Sequence, residues 1–198
     1  LPILLDVVHR LIEKRKLRFL LTGSSARKLK RGGTSNLLGG RAWEAHLFPL
    51  VSAEIPGFDL TRYLNRGGLP RIFNSDDFLE EQRAYVGTYL KEEVLAEALV
   101  RRLDQFSRFL EVAALQSGEE LTLEGIASDA HVKAKTVGNY IEILEDTLLG
   151  FRLPAYLKTR KRKAIARSKF YLFDVGITNF LAKRRDLLPG SEMFGKAF

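Results

Sequence analysis

The sequence predicts an α/β segment followed by helical modules and a small β-hairpin, an α/β plus α protein. Three observations carry this. A short, nearly continuous apolar run, Leu17–Thr22, leads into Gly23-Ser24-Ser25, as a buried parallel strand leads into its helix. Gly67-Gly68-Leu69-Pro70 then breaks a stretch of helical spacing. Finally, residues 100–173 read as a helix, a short helix, a turn, a longer helix and two strand-like runs flanking a basic loop.

Taken in order, Leu4, Val8, Leu11 and Ile12 follow helical spacing, so residues 3–15 are expected to form an amphipathic helix. Leu17–Thr22 is the first expected strand. Gly32-Gly33 and Gly39-Gly40 punctuate a short helical stretch, and Ala45–Leu50 is the next expected strand, ended by Pro49. These pieces read as the tail of an α/β domain. Asp59 is placed to cap a short helix reaching Arg66. Asp77 starts a long helix through Tyr85, Tyr89 and Val94 to about Ala98, which gives a small helical lid. Leu103–Gln116 and Thr122–Asp129 are helices, Ala130-His131 a turn, and Lys133–Thr147 a longer helix; Leu148–Leu157 and Phe170–Phe173 are strand-like. That is the winged-helix order. The chain shows no internal repeat.

Composition narrows the function classes. The 198 residues are 45% hydrophobic and 28% charged, which suits a protein with one or two cores. There are no cysteines, so disulfides and thiolate metal sites are excluded. His9, His46 and His131 lie far apart, with no ligand spacing. No apolar run approaches membrane-spanning length, so a cytoplasmic protein with no membrane partner is expected. The net charge of +8 favours acidic partners, nucleic acid above all.

The excess charge is concentrated. Lys158–Lys169 holds seven basic residues in twelve and no acid. At a hairpin tip, Lys158, Arg160, Lys161, Arg162 and Lys163 would suit the phosphate backbone; a merely solvated wing is the plainer alternative. In the helix from Lys133, the residues Val137, Ile141, Leu144 and Leu148 make one apolar stripe. A groove-reading helix uses its N-terminal residues, which makes Lys133, Lys135, Thr136 and Asn139 the candidates. The later Glu142 and Asp146 would repel phosphate if the helix lay deep in a groove. A winged helix used only for protein contacts is the competing reading.

Near the start, Thr22-Gly23-Ser24-Ser25 lies where an open α/β sheet binds ligands, although a plain turn capped by Ser24 or Ser25 explains it equally. Arg41 follows two glycines and precedes an apolar run, and is either a phosphate-facing arginine or a solvated turn residue. Two look-alikes are set aside. Gly190–Lys196 has P-loop spacing, but Ala197 replaces the Mg²⁺-binding hydroxyl and no strand leads into it. Phe170–Asp174 looks like a Walker B strand, but Val175 stands where the second acid belongs.

The order strand, polar tip, helix, Gly-Arg and strand resembles the second half of a AAA+ ATPase core. More narrowly, the chain resembles the prokaryotic AAA+ ATPases that carry a C-terminal domain of unknown function. Phe19–Arg41, Glu142–Leu153 and Lys169–Gly176 carry the likeness most strongly, and Gly67-Gly68-Leu69-Pro70 matches the family's Gly-Gly-x-Pro signature. The resemblance implies four segments: residues 1–56 as the C-terminal part of the core, 57–99 as the lid, 100–168 as a winged helix with its β-wing, and 169–198 as the start of a nuclease-like domain. It implies sensor-1 roles for Thr22 and Ser24, an arginine finger at Arg41, and a lid hinge near nucleotide at Gly67, Gly68 and Pro70. It also implies that the intact parent is an ATP-driven switch using ATP and Mg²⁺, and that it assembles as a homo-oligomer through the core. This chain lacks a P-loop and a Walker B motif, so it is expected to be inactive and to hold no cofactor or metal. DNA is the expected partner. Two alternatives are a non-catalytic DNA-binding regulator and a nuclease-linked defence or toxin–antitoxin component.

Overall fold

The computed structural model describes residues 2–22, 43, 45–90, 102–156, 167–184 and 187–197. It divides into two units, residues 1–47 with 146–148, and residues 48–145 with 149–198.

In the first unit, α1 (Pro2–Arg15) places Lys14 and Arg15 in its last turn, where cations complement the helix dipole. Its buried positions are Leu5 and Val8, while Leu4 is 54% exposed, so the apolar stripe sits slightly round the helix from the expected one. The expected strand at Leu17–Thr22 does not form: the segment has no regular structure and every residue in it is exposed. Ala45–Leu50 is likewise irregular. The physical reason is that a parallel strand exists only as a member of a sheet. Among the described residues neither run has a neighbouring strand, and Leu20 and Leu47 are 90% and 97% exposed.

The second unit is mostly helical with one two-stranded antiparallel sheet. A 3-10 turn at Ser52–Glu54 precedes α2 (Leu60–Arg66), α3 (Pro70–Asn74) and α4 (Phe78–Ala84). Asp59 caps α2 by accepting from the Arg62 amide, and Pro70 opens α3 at its first position, where no backbone donor is needed. Asp77 occupies the position before α4, yet its side chain makes no capping bond. The helix continues as a π-helical turn over Tyr85–Leu90. The rest of the long helix expected there lies outside the described residues.

Next come α5 (Leu103–Leu115), α6 (Leu123–Ala130) and α7 (Ala134–Asp146), then β1 (Gly150–Leu153), β2 (Lys169–Leu172), α8 (Val175–Leu181) and α9 (Glu192–Ala197). The strands pair in register from Gly150 opposite Leu172 to Leu153 opposite Lys169. On the other side of β2, Gly118 donates to the Phe170 carbonyl at 2.7 Å and Leu121 to that of Ser168 at 2.8 Å, so the link between α5 and α6 runs along the strand.

Phe106 and Phe109 of α5 and Val137 and Leu144 of α7 are completely buried. Tyr140 meets the Phe106 ring edge-on, with centroids 5.1 Å apart. The same core includes Ile72, Val86, Phe170, Leu172 and Ile177, so residues expected in lid, winged helix and C-terminal segment share one core. No helix among the described residues is long and apolar enough to cross a membrane.

Candidate functional site

The turn between α6 and α7 sets the first candidate surface. His131 adopts the left-handed conformation, with φ 53°, and ends α6. Histidine tolerates this better than branched residues do. The Lys133 carbonyl then accepts from Thr136 at 2.8 Å and from Val137 at 3.1 Å, which starts α7. The first turn of α7 contains no acid. Lys133, Lys135 and Asn139 are exposed, Thr136 is half-buried, and Val137, Tyr140, Ile141 and Leu144 face the core. Lys135 and Asn139 stand one turn apart on the exposed face, and Glu142 follows them. Among the described residues, neither Lys133 nor Lys135 forms an ion pair.

The hairpin is fastened to the far end of α7. Glu145 accepts from both the guanidinium and the backbone amide of Arg152, at 2.8 Å from Nε and 3.1 Å from the amide. This two-pronged contact fixes the angle at which β1 leaves the helix. The basic loop joins β1 to β2, but Lys158, Arg160, Lys161, Arg162 and Lys163 lie outside the described residues.

The second feature is the Gly-Gly-Leu-Pro joint. Gly67 has φ +78°, and a Cβ there would fall 2.1 Å from an Asp174 carboxylate oxygen. On Gly68 it would fall 2.4 Å from the Leu50 carbonyl, and on Gly176 2.3 Å from the Gly67 nitrogen. Asp174 is 3% exposed. It accepts from the Gly68 amide at 2.7 Å and from the Ile177 amide at 2.9 Å, so it caps α8 and holds α3's approach at once. Burial pushes its carboxyl above the ordinary carboxylate value, against the backbone amides of Ile177, Gly68, Gly176 and Leu69, which pull it down.

These contacts describe the Gly67–Gly68 segment in the folded chain. Gly67 and Gly68 form a packed joint, with the Asp174 carboxylate in the space a Cβ on Gly67 would need. Pro70 is exposed at the start of α3. Arg66 stacks over Phe78 at 4.8 Å and donates to the Ser75 carbonyl at 2.7 Å, while Arg71 pairs with Glu81 at 2.8 Å. Thr22 is exposed in an irregular segment, and Ser24 and Arg41 lie outside the described residues. No three His, Asp or Glu side chains converge as a metal site among the described residues. The strand that looks like Walker B is β2, and its acid is the buried cap of α8. Among the described residues, no strand leads into Gly190.

Sequence reasoning passed over Asp174 as a joint, together with Gln82 and Asn179. Gln82 is 1% exposed and donates to the Asn65 carbonyl at 2.9 Å. Asn179 is 2% exposed and donates to the Leu64 carbonyl at 3.0 Å. An Asp just before a helical run could have been read as a cap. Nothing local reveals its distant partner.

Residues 57–188 match one family model over two thirds of the chain. The chain belongs to the family described as "Domain of unknown function (DUF8612)". No curated protein and no solved structure matches it. The DUF8612 span takes in α2 to α8, and therefore the Asp174 joint, the start of α7 and the hairpin. Thr22, Ser24 and Arg41 fall outside it.

Proposed function

We propose that α5, α6, α7 and the β1–β2 hairpin form a winged helix that contacts duplex nucleic acid, and that in the parent protein this module belongs to an AAA+-type, ATP-driven switch. One observation carries the nucleic-acid half. The N-terminal end of α7 presents exposed Lys133 and Lys135 where the helix dipole is positive, with no acid in that turn. Cations there work against helix stability, so an anionic partner is the natural reason for them. Asn139 one turn on can reach a base edge, and the basic loop between the strands supplies phosphate contacts. Glu142 limits the approach to the first turns of α7.

The ATP half rests on the order of motifs in the sequence. Asp174 fills the space beside Gly67, and the sequence holds no P-loop to bind the phosphates. No step is therefore assigned to ATP on this chain, and calorimetry with ATP and Mg²⁺ is expected to show no binding.

Fluorescence anisotropy with duplex DNA over a salt series tests the main reading. Binding should weaken steeply with salt. Replacing Arg160, Lys161, Arg162 and Lys163 by Ala should flatten the log–log slope by up to about 0.9 per lost phosphate contact. An unchanged slope, or no binding at low salt, rejects it; loss of self-association in the same variant would favour protein contact instead.

A further inference from the structure

The β1–β2 hairpin has one face in the core and one in solvent. Gly150, Phe170 and Leu172 are buried, and Arg152, on the same side, is held by Glu145. Alternation puts Phe151 and Leu153 of β1 with Lys169 and Tyr171 of β2 on the other face. Phe151 stands opposite Tyr171, and their rings stack with centroids 5.4 Å apart and planes inclined by only 14°. Phe151 is nevertheless 50% exposed, Leu153 is exposed, and Tyr156, just beyond β1, is 89% exposed. Large apolar side chains grouped in solvent mark a contact surface.

The charge on this face is positive. Lys169 is exposed and has no carboxylate partner among the described residues. Glu120 lies opposite it, but its carboxylate pairs with Arg167, at 3.9 Å. Lys169 and Tyr171 also line a cavity of about 690 Å³ together with Phe58, Tyr63 and Arg184, and no Asp or Glu lines it. The Phe58 and Tyr63 rings lie 5.3 Å apart. Aromatic rings and cations therefore continue from the hairpin face into the cavity.

Rings beside spaced cations suit single-stranded nucleic acid: bases stack on the rings whatever their sequence, and the cations follow the phosphates. A duplex is a poor match, because its bases already stack on one another. So is a second copy, since a two-fold contact sets the same cationic patch against itself.

We infer that the outer face of the hairpin binds single-stranded DNA, with bases stacking on the Phe151–Tyr171 pair and separate phosphates meeting Lys169 and Arg184. The choice of DNA rests on the nucleic-acid reading of α7 in the same module. The surface itself is distinct, since none of these residues belongs to α7.

The probe is a labelled oligothymidylate of about 12 nucleotides, titrated with the whole chain by fluorescence anisotropy at low salt. Its companions are an abasic strand of the same length and a blunt duplex. Oligothymidylate should saturate and bind at least about 5-fold tighter than the abasic strand, because only it can stack. Phe151→Leu keeps an apolar side chain but removes the ring. It should weaken oligothymidylate by at least about 5-fold and leave the abasic strand and the blunt duplex unchanged, which also shows that the variant folds. Lys169→Ala should instead lower the salt slope, by up to about 0.7. The inference is overturned by no saturation up to about 100 μM, by equal binding of oligothymidylate and the abasic strand, or by a Phe151→Leu variant that binds oligothymidylate as before. Tighter binding of oligouridylate would overturn the choice of DNA. Oligothymidylate binding without duplex binding would uphold this surface and reject the reading of α7; the reverse would reject this surface alone.

Discussion

Asp174 and Gly68 are joined by a 2.7 Å hydrogen bond from the glycine amide to the carboxylate, although 106 residues separate them. The same carboxylate occupies the volume that a side chain on Gly67 would need. The two glycines therefore serve a close approach between distant segments.

Gly67→Ala should destabilise the fold by about 3 kcal/mol or more, because strain at positive φ adds to a backbone-level clash. Gly57→Ala is the control. Gly57 also has positive φ, +62°, but nothing lies within 4 Å of its added Cβ, so it should cost only about 1 kcal/mol. Urea denaturation of both variants checks this, and equal losses would return Gly67 to the status of a hinge.

The pH dependence of Asp174 has a definite sign. Burial raises its folded pKa above the unfolded value near 3.8. The fold thus favours the protonated carboxyl, a contribution fully present below the unfolded value and lost as pH rises through the folded one. Asp174→Asn should cost about 1–3 kcal/mol, since backbone donors lose an acceptor. The advantage of the wild type over this variant should shrink as pH rises above 3.8. An advantage that grows with pH would mean that the backbone amides outweigh burial and hold the carboxylate ionised.

Phe109 is fully buried against Tyr140, with ring centroids 5.2 Å apart. Phe109→Ala should cost about 3–5 kcal/mol, most of it from the cavity left behind. Because one core runs through α3, the hairpin and α8, the loss should appear as a single cooperative unfolding transition. Two separated transitions by circular dichroism and tyrosine fluorescence would contradict a shared core.

Lys133→Glu with Lys135→Glu should separate stability from function. Acids in the first turn complement the helix dipole, so the unfolding temperature should hold or rise. Duplex affinity should fall by at least about 10-fold, through lost phosphate contacts and new repulsion. If binding survives, α7 does not face nucleic acid.

Several elements were legible in the sequence because their causes are local. Asp59 as a cap, the turn at His131, the apolar stripe of α7 and the strands on either side of the basic loop all depend on residues within a few positions of one another. Periodicity and capping are written at that range. Leu17–Thr22 marks where local reading stops: an apolar run reads as a strand, but a strand needs a neighbour, and the described residues give it none. The Gly67–Gly68 pair was legible as a break, but its close packing was not. A glycine looks the same whether it supplies freedom or makes room, and only the tertiary structure brings Asp174 and Gly176 against it. Asn179 is the same case in a polar residue. The sequence reading placed no helix over Val175–Leu181, and the burial and unpaired Oδ1 of Asn179 follow from which distant surfaces meet.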